Sequence, residues 1–394
     1  MSPLAKLDPI VAFVSILAIL IILIGLILKR IKQPYIIGYI IIGALLGEHG
    51  LGLIRDAELI HHLGEMGIIL LLFFIGMDIS LPELIKQWRL AAIGTLLQVG
   101  ISVLIIISIG HFFDWKIERS IILGFVIALS SSAVIIKIMD DKKLVNTRVG
   151  KKVLSILLTQ DIIIVPLLII TSLLGGQPEP LGNILLMIVG GLVIIALLIY
   201  IYVKRSIRLP FSEKIAHDRE LQVFVAILLC FGGALLSSVF GLSPALGAFV
   251  GGMVMNVSKA TDWIFATLHS FRVLFVALFF VSIGLQIDFV FLNENSLAIA
   301  IVLLTVYLVN HSLNALILRL FACPWKEAFL GGALLAQIGE LSFLLSSSAY
   351  ALGIIGTYGY NFTISLISLT LIISPFWISL SEKILHISRK TISH

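Results

Sequence analysis

Asp161 follows Gln160 in the stretch Leu-Leu-Thr-Gln-Asp-Ile-Ile-Ile-Val-Pro from Leu157 to Pro166, so a carboxylate stands near the middle of an apolar run long enough to cross a bilayer. Lys151 and Lys152 precede it, and Gly175 and Gly176 follow it. At a helical rise of ~1.5 Å per residue the carboxyl lies ~14 Å from one end and ~20 Å from the other. An ionisable side chain at that depth costs roughly 2.5 to 3.5 kcal/mol, which makes it by default a candidate ion or proton site. Desolvation disfavours a charged carboxyl and a bound cation favours it, so proton and cation compete for one group. That competition is the minimal device for exchanging one for the other. Monovalent hard ions take oxygen ligands, and Asp161, the Gln160 amide oxygen, Thr159 and the hydroxyls of Ser130, Ser131 and Ser132 could supply them. Pro166 cannot donate to the carbonyl of Ile162, which loosens the backbone just beyond the carboxylate.

Other polar residues lie at similar depth. Ser130 to Ser132 carry hydroxyls that compete for backbone carbonyls, and Gln337, Gly339 and Glu340 put a glycine and two polar groups into another apolar run. Both places read as discontinuous helices, whose unwound backbone is tolerated in a membrane only against protein or a water-filled cavity. Small residues also serve close helix packing, the plainer reading of the serines alone. Glu340 reads as a second proton site or as a group that organises the break beside Gly339. Asn310 and His311 stand mid-span; a buried histidine is more often a packing residue than a shuttle. Gln98 suits an interhelical hydrogen bond, and Glu65, Asp78 and Asp288 fall at span ends, where solvated or capping roles are expected. Arg272 can snorkel to an interface.

The elements that must position these residues follow from composition. The chain has 394 residues, 59% hydrophobic and 12% charged, with mean hydropathy +1.14. Soluble domains carry roughly 25% charged residues. This pattern predicts an all-α polytopic membrane protein. The pI near 9.1 and net charge of +5 do not point to nucleic acid, because the basic residues occupy short loops between apolar spans. Cys230 and Cys323 form neither a disulfide framework nor a metal-spaced cluster. Apolar windows predict thirteen spans, near 9–28, 34–49, 61–79, 90–113, 119–139, 150–174, 181–203, 221–240, 242–256, 265–285, 296–321, 326–350 and 358–381. The first ends in Lys29-Arg30 rather than a small-residue cleavage site and reads as retained. With this count, 22 of the 27 Lys and Arg fall on the odd-numbered connections and the C-terminal tail, and 4 on the opposite side. The positive-inside rule then places the N-terminus outside and the C-terminus in the cytoplasm.

Landmarks of the first half return about 208 residues later. Phe73-Phe74-Ile75-Gly76 resembles Phe279-Phe280-Val281-Ser282-Ile283-Gly284, and 284 minus 76 is 208. Pro34, Gly38, Gly43 and Gly47 correspond to Pro244, Gly247, Gly252 and Asn256, and Ser131 falls on Gly339. Each span then pairs with one seven spans later, and an odd separation inverts the second copy, as in secondary transporters. The expected organisation is a single transmembrane unit over 1–394: repeat one about 9–174, a linker helix about 181–203, and repeat two about 221–381.

At Leu157–Leu167, at Ala-Leu-Ser-Ser-Ser-Ala from Ala128, at Phe279–Phe289 and at Gln337–Phe343, the sequence resembles the Kef-type glutathione-gated potassium/proton antiporters of the cation:proton antiporter 2 family. The resemblance covers nearly the whole chain. It implies a thirteen-span homodimer in the plasma (inner) membrane, with a six-helix core moving against a dimerisation domain, and an ion-binding aspartate at Asp161. It also implies no cofactor beyond the transported K+ or Na+ and H+, and lipid as the surrounding partner. Sodium-exchanging relatives usually carry Asn-Asp or Asp-Asp where this chain has Gln160-Asp161, so the resemblance favours potassium. Two departures stand out. Asn310, next to His311, occupies the place where many relatives have a lysine, so the expected exchange is electroneutral, one ion for one proton. Kef proteins continue into a cytoplasmic nucleotide-binding domain and this sequence stops at His394, so it reads as either a truncated piece or a naturally short relative; regulation by nucleotide or glutathione is not carried over to the residues present, and a separate cytoplasmic regulatory domain or subunit is a candidate partner. A sodium/proton antiporter, a ligand-gated potassium channel and a transport-dead sensor or organic-anion carrier are the alternatives on the same scaffold.

Overall fold

The computed structural model describes residues 9–30, 35–54, 57–78, 87–176, 180–204, 218–258, 261–339 and 341–384, and every regular element among them is helical. In chain order these are α1 (Pro9–Arg30), α2 (Tyr35–Leu46), α3 (Ala57–Asp78), α4 (Leu90–Phe112), α5 (Ile117–Ala128), α6 (Ser132–Asp141), α7 (Arg148–Leu174) and α8 (Leu181–Lys204). They continue with α9 (Arg219–Val239), α10 (Pro244–Ser258), α11 (Thr261–Leu285), α12 (Phe289–Glu294), α13 (Ser296–Leu320), α14 (Trp325–Leu334), α15 (Leu341–Ala351) and α16 (Thr357–Ile384). Among the described residues six helices are long and apolar enough to cross a membrane, seven if the bent α7 counts as one span.

Helix starts follow local chemistry. A helix leaves its first N–H groups without backbone partners, and a short oxygen-bearing side chain fills that need. Thr147 accepts from Gly150 N at α7, Asp218 from Glu220 N and Leu221 N at α9, and Ser131 from Val134 N at α6. Asp288, expected to be solvated or capping, caps α12 through Val290 N and Phe291 N. Pro166 has the expected consequence, a 40° bend between Arg148–Ile164 and Pro166–Leu174. Two features differ from the sequence expectation. The six-residue α12 was not anticipated, its short polar-flanked run being below any span length. The first turn of α4, Leu90–Gly94, is a π-helix. Lys6, Lys32, Arg55, Lys86, Arg205, Arg208, Lys214, Lys259, Arg389 and Lys390, part of the charge asymmetry, lie outside the described residues, as do Pro34 and Glu340.

Glycines set how the helices meet. α3 packs on α10 and α11, and α11 also packs on α2. A Cβ on Gly43 would collide with the Val281 carbonyl and meet Gly284, and a Cβ on Gly76 would collide with the Phe249 carbonyl and meet Gly252. Exchanging residues by the sequence offset converts the first contact into the second to within one residue, since 43 goes to 252, an offset of 209, and 284 goes to 76, an offset of 208. Two further contacts map onto themselves: Gly67 against Phe275, and Gly339 against Ser130 and Ser131, where 275 minus 67 and 339 minus 131 both equal 208. A contact between a residue and its own match lies at the axis of the exchange.

Candidate functional site

Helix α5 ends at Ala128, α6 begins at Ser132, α14 ends at Leu334 and α15 begins at Leu341, so the chain breaks at both expected places. The breaks touch. Gly339 N donates to Leu129 O at 2.7 Å, and Ser130 Oγ donates to Leu335 O at 2.8 Å. A Cβ at 339 would stand 2.5 Å from both the carbonyl carbon and oxygen of Ser130, so this crossing requires glycine.

Unwound backbone buried among apolar helices must find partners, because an orphaned group costs about 1–3 kcal/mol. Gln160, fully buried, supplies several: its Oε1 accepts from Ser130 N at 3.0 Å, and its Nε2 donates to Gln98 Oε1 at 2.8 Å and Ala128 O at 3.3 Å. Gln98 Nε2 also donates to Ala128 O at 2.9 Å, the interhelical role expected of it. Asn310 Nδ2 donates to Ile127 O at 2.9 Å and Ala336 O at 3.2 Å, so one amide joins the C-terminal ends of α5 and α14. Asn314 Nδ2 donates to Leu335 O, Ser342 Oγ to Val126 O, and Thr370 Oγ1 accepts from Ile338 N. Both helix C-termini carry partial negative charge, and here neutral amides and hydroxyls satisfy them where the resemblance would have placed a lysine.

Asp161 sits on the other side of this knot. The residue is 5% exposed, and its carboxylate accepts from Ser132 Oγ at 3.0 Å (Oδ1) and 3.2 Å (Oδ2). Ser132 is the first residue of α6, so the carboxylate lies beside a helix N-terminus, whose partial positive charge favours an anion. Asp161 is also in the wall of a cavity of about 780 Å3, with Ile68 and Leu72 of α3, Ile164 and Leu168 of α7, Phe279 and Ser282 of α11, and Leu341 of α15. A neutral or cation-bound carboxyl reached through an apolar funnel can trade a proton for a small cation.

The expected ligands divide. Ser132 is brought to Asp161. The Gln160 amide is engaged with the backbone of the first break and is absent from the cavity wall. Thr159 Oγ1 donates to Ser155 O one turn back, Ser130 ties to α14, and Ser131 caps α6. In the second break Gln337 is fully buried, with neither side-chain Oε1 nor Nε2 hydrogen-bonded among the described residues. His311 Nε2 meets Phe329 O at 2.9 Å and its Nδ1 accepts from Trp377 Nε1 at 3.1 Å. An acceptor at Nδ1 leaves Nε2 as the donor, so both nitrogens of a neutral ring are engaged and His311 is a packing residue in this geometry. Sequence reasoning missed Asn314, Ser342 and Thr370. Asn314 had one available signal, its spacing of four from Asn310 on the same helix face.

The transmembrane sodium/hydrogen exchanger family model matches residues 16–380. The chain is similar to the iron transporter MagA of Paramagnetospirillum magneticum, with 34% identity over 94% of this chain and 85% of that protein. It is similar to the glutathione-regulated potassium-efflux system protein KefC of Escherichia coli O81, with 32% identity over 81% of this chain and 52% of KefC, so it spans about half the length of that relative. The putative cation/proton antiporter YbaL of Escherichia coli K12 is 28% identical over 92% of this chain and 67% of YbaL. In three dimensions the chain is similar to the sodium proton antiporter MjNhaP1 of Methanocaldococcus jannaschii, with a TM-score of 0.65 at 19% identity, covering 98% of this chain and 99% of that one.

Proposed function

The chain belongs to the transmembrane sodium/hydrogen exchanger family, and from that premise we propose that it exchanges a monovalent alkali cation, potassium first, for a proton by alternating access. The observation that carries this reading is the buried Asp161 carboxylate, held by Ser132 at the N-terminus of α6 and facing the 780 Å3 cavity. Asp161 binds either the cation or the proton, with Ser132 as a second oxygen. Gln160, Gln98, Ser130 and Asn310 hold the crossing rigid around it. The preference for potassium rests on the Gln160-Asp161 pair and on the potassium efflux named for KefC. Among the described residues the C-terminal helix ends at Asn310 are met by its neutral amide rather than by a charged side chain, which supports one-for-one, electroneutral exchange.

Joining α5 to α6 and α14 to α15, and setting α12 aside, leaves thirteen helical elements among the described residues. The exchangeable glycine contacts support two inverted repeats. The apolar residues exposed along α8, including Leu185, Ile188, Leu192 and Ile195, support contact with lipid or a second copy. The cavity rim is built from the ends of α3, α11 and α15 and the connections 241–243 and 286, which the positive-inside rule puts outside; the structure then represents an outward-facing state.

A second reading, transport of iron, is favoured by the 34% identity to the iron transporter MagA. The site fits it less well: one carboxylate and a hydroxyl make an oxygen set for hard ions, and no three His, Cys, Asp or Glu converge among the described residues. Cation-dependent proton flux in proteoliposomes, offered K+, Na+, Li+, Rb+ and Fe2+, separates these readings. The expected result is saturable K+-driven proton flux, lost in Asp161→Asn. Exchange retained by that variant overturns the site, and ohmic current uncoupled from protons makes the protein a channel.

A further inference from the structure

Apart from Asp161, the described wall of the cavity holds one other carboxylate, Glu65, and neither lysine nor arginine. Glu65 lies on α3 and its side chain is 55% exposed, with His62 Nδ1 3.5 Å from its Oε2. Gln286 and Ser347 are exposed members of the same wall and mark the mouth, whereas Asp161 is at the buried end. Ile68 and Leu72 continue the α3 face inward from Glu65, and seven residues of helix place Leu72 ~10 Å deeper than Glu65. Between the two carboxylates the wall is largely apolar, and low-dielectric walls focus the field of a charge at the mouth into the funnel. The offset that matches the two halves assigns residue 273 to Glu65, and that residue is a valine. The acid therefore has no counterpart on the other half.

We propose that Glu65 is an electrostatic entrance that concentrates alkali cations in the Asp161 cavity, and that it does so from one side of the protein only. This rests on the exchange reading above for its consequence in transport, but the field itself can be measured without transport. Ser347→Cys puts a thiol in the cavity wall. The two native thiols are buried, and burial pushes that of Cys323 up to about 11, so the introduced thiol reacts alone. Its rates with a cationic and an anionic methanethiosulfonate of similar size report the local potential. For a unit charge acting across on the order of 10 Å of water, Coulomb's law predicts that Glu65→Gln lowers the cationic-to-anionic rate ratio by about two- to fivefold at low ionic strength. The difference closes in about 0.3 M inert salt, and Glu65→Asp keeps the native ratio. In oriented membrane vesicles, the same variant raises the apparent KM for K+ two- to fivefold from the cavity side, with the maximal rate and the opposite-side KM unchanged. An unchanged reagent ratio overturns the proposal, as does a KM shift seen equally from both sides. A shifted ratio in a protein that exchanges no cation for protons leaves the entrance standing and overturns the exchange reading.

Discussion

The two breaks occupy matched positions, 131 and 339, yet they are stabilised by different chemistry. The first is surrounded by amides from elsewhere: Gln160 takes Ser130 N, Gln98 and Gln160 take Ala128 O, and Asn310 takes Ile127 O. The second takes Ser130 Oγ, the Asn310 and Asn314 amides and Thr370, and among the described residues its own Gln337 amide has no hydrogen bond. On the helices that flank them the contrast is sharper. Asp161 and Gln160 of α7 match Leu369 and Ser368 of α16, and the Ser368 hydroxyl has no hydrogen-bond partner among the described residues. A backbone arrangement can thus be shared by two halves while the titratable group and its support belong to one.

Breaking that contrast at its chemical centre has the largest expected effect. Asp161→Asn should lower cation-driven proton flux at least about 100-fold in proteoliposomes, the scale of removing an essential charge-bearing group, whereas Leu369→Met at the matched position should leave flux within about twofold.

Next in size is the contact the two breaks share. Gly339→Ala places a Cβ 2.5 Å from Ser130 backbone atoms that cannot move independently. It should cost more than about 2 kcal/mol, in the range of overpacked cores, read as a lower melting temperature of the purified protein and a flux loss above about tenfold. Gly100→Ala, which meets nothing within 4 Å, should keep both values or gain slightly, because alanine favours a helix by about 0.5–1 kcal/mol.

The supporting amides come third. Gln160→Met leaves Ser130 N without its acceptor and should destabilise by about 1–3 kcal/mol, with flux reduced roughly tenfold. Ser368→Ala removes a hydroxyl that bonds nothing among the described residues and should change stability by less than about 0.5 kcal/mol. Equal losses in both variants would erase the asymmetry between the two halves.

The smallest expected effect sharpens the comparison at its edge. Ser132→Ala keeps the fold and removes one hydrogen bond to Asp161, which is worth about 1–2 kcal/mol when the acceptor is charged. The apparent KM for K+ should rise several-fold while the melting temperature stays within a few degrees.

Much of the scaffold was legible in the sequence because its signals are local. Apolar runs between basic loops mark membrane helices, and a carboxylate inside such a run stands out by its desolvation cost alone. Glycine and serine clusters marked the breaks because they weaken a helix wherever they occur. The role of Gln160 was not legible: its adjacency to Asp161 suggested a shared ligand sphere, but consecutive helical residues point about 100° apart, so one faces the cavity and the other the first break. Thr159 was misleading for a related reason, since a threonine hydroxyl in a helix can bond the carbonyl one turn back. His311 resisted assignment until Trp377 and Phe329, 66 and 18 residues away, were seen to engage both ring nitrogens. The role of Glu340 stays with the sequence, as that residue lies outside the described ones.

By itself the sequence determined that the chain is helical, that it carries apolar segments long enough for a membrane, where two of those segments weaken, and which one bears a carboxylate. These are properties of single segments, set by side-chain transfer energies and helix propensities. Only the tertiary structure decided that Ser132 rather than Gln160 meets Asp161, that the breaks join through Gly339 and Leu129, and that Glu65 shares a cavity with Asp161. Hydrogen bonds and cavities depend on which remote residues converge, and convergence is set by packing rather than by any residue's own preference.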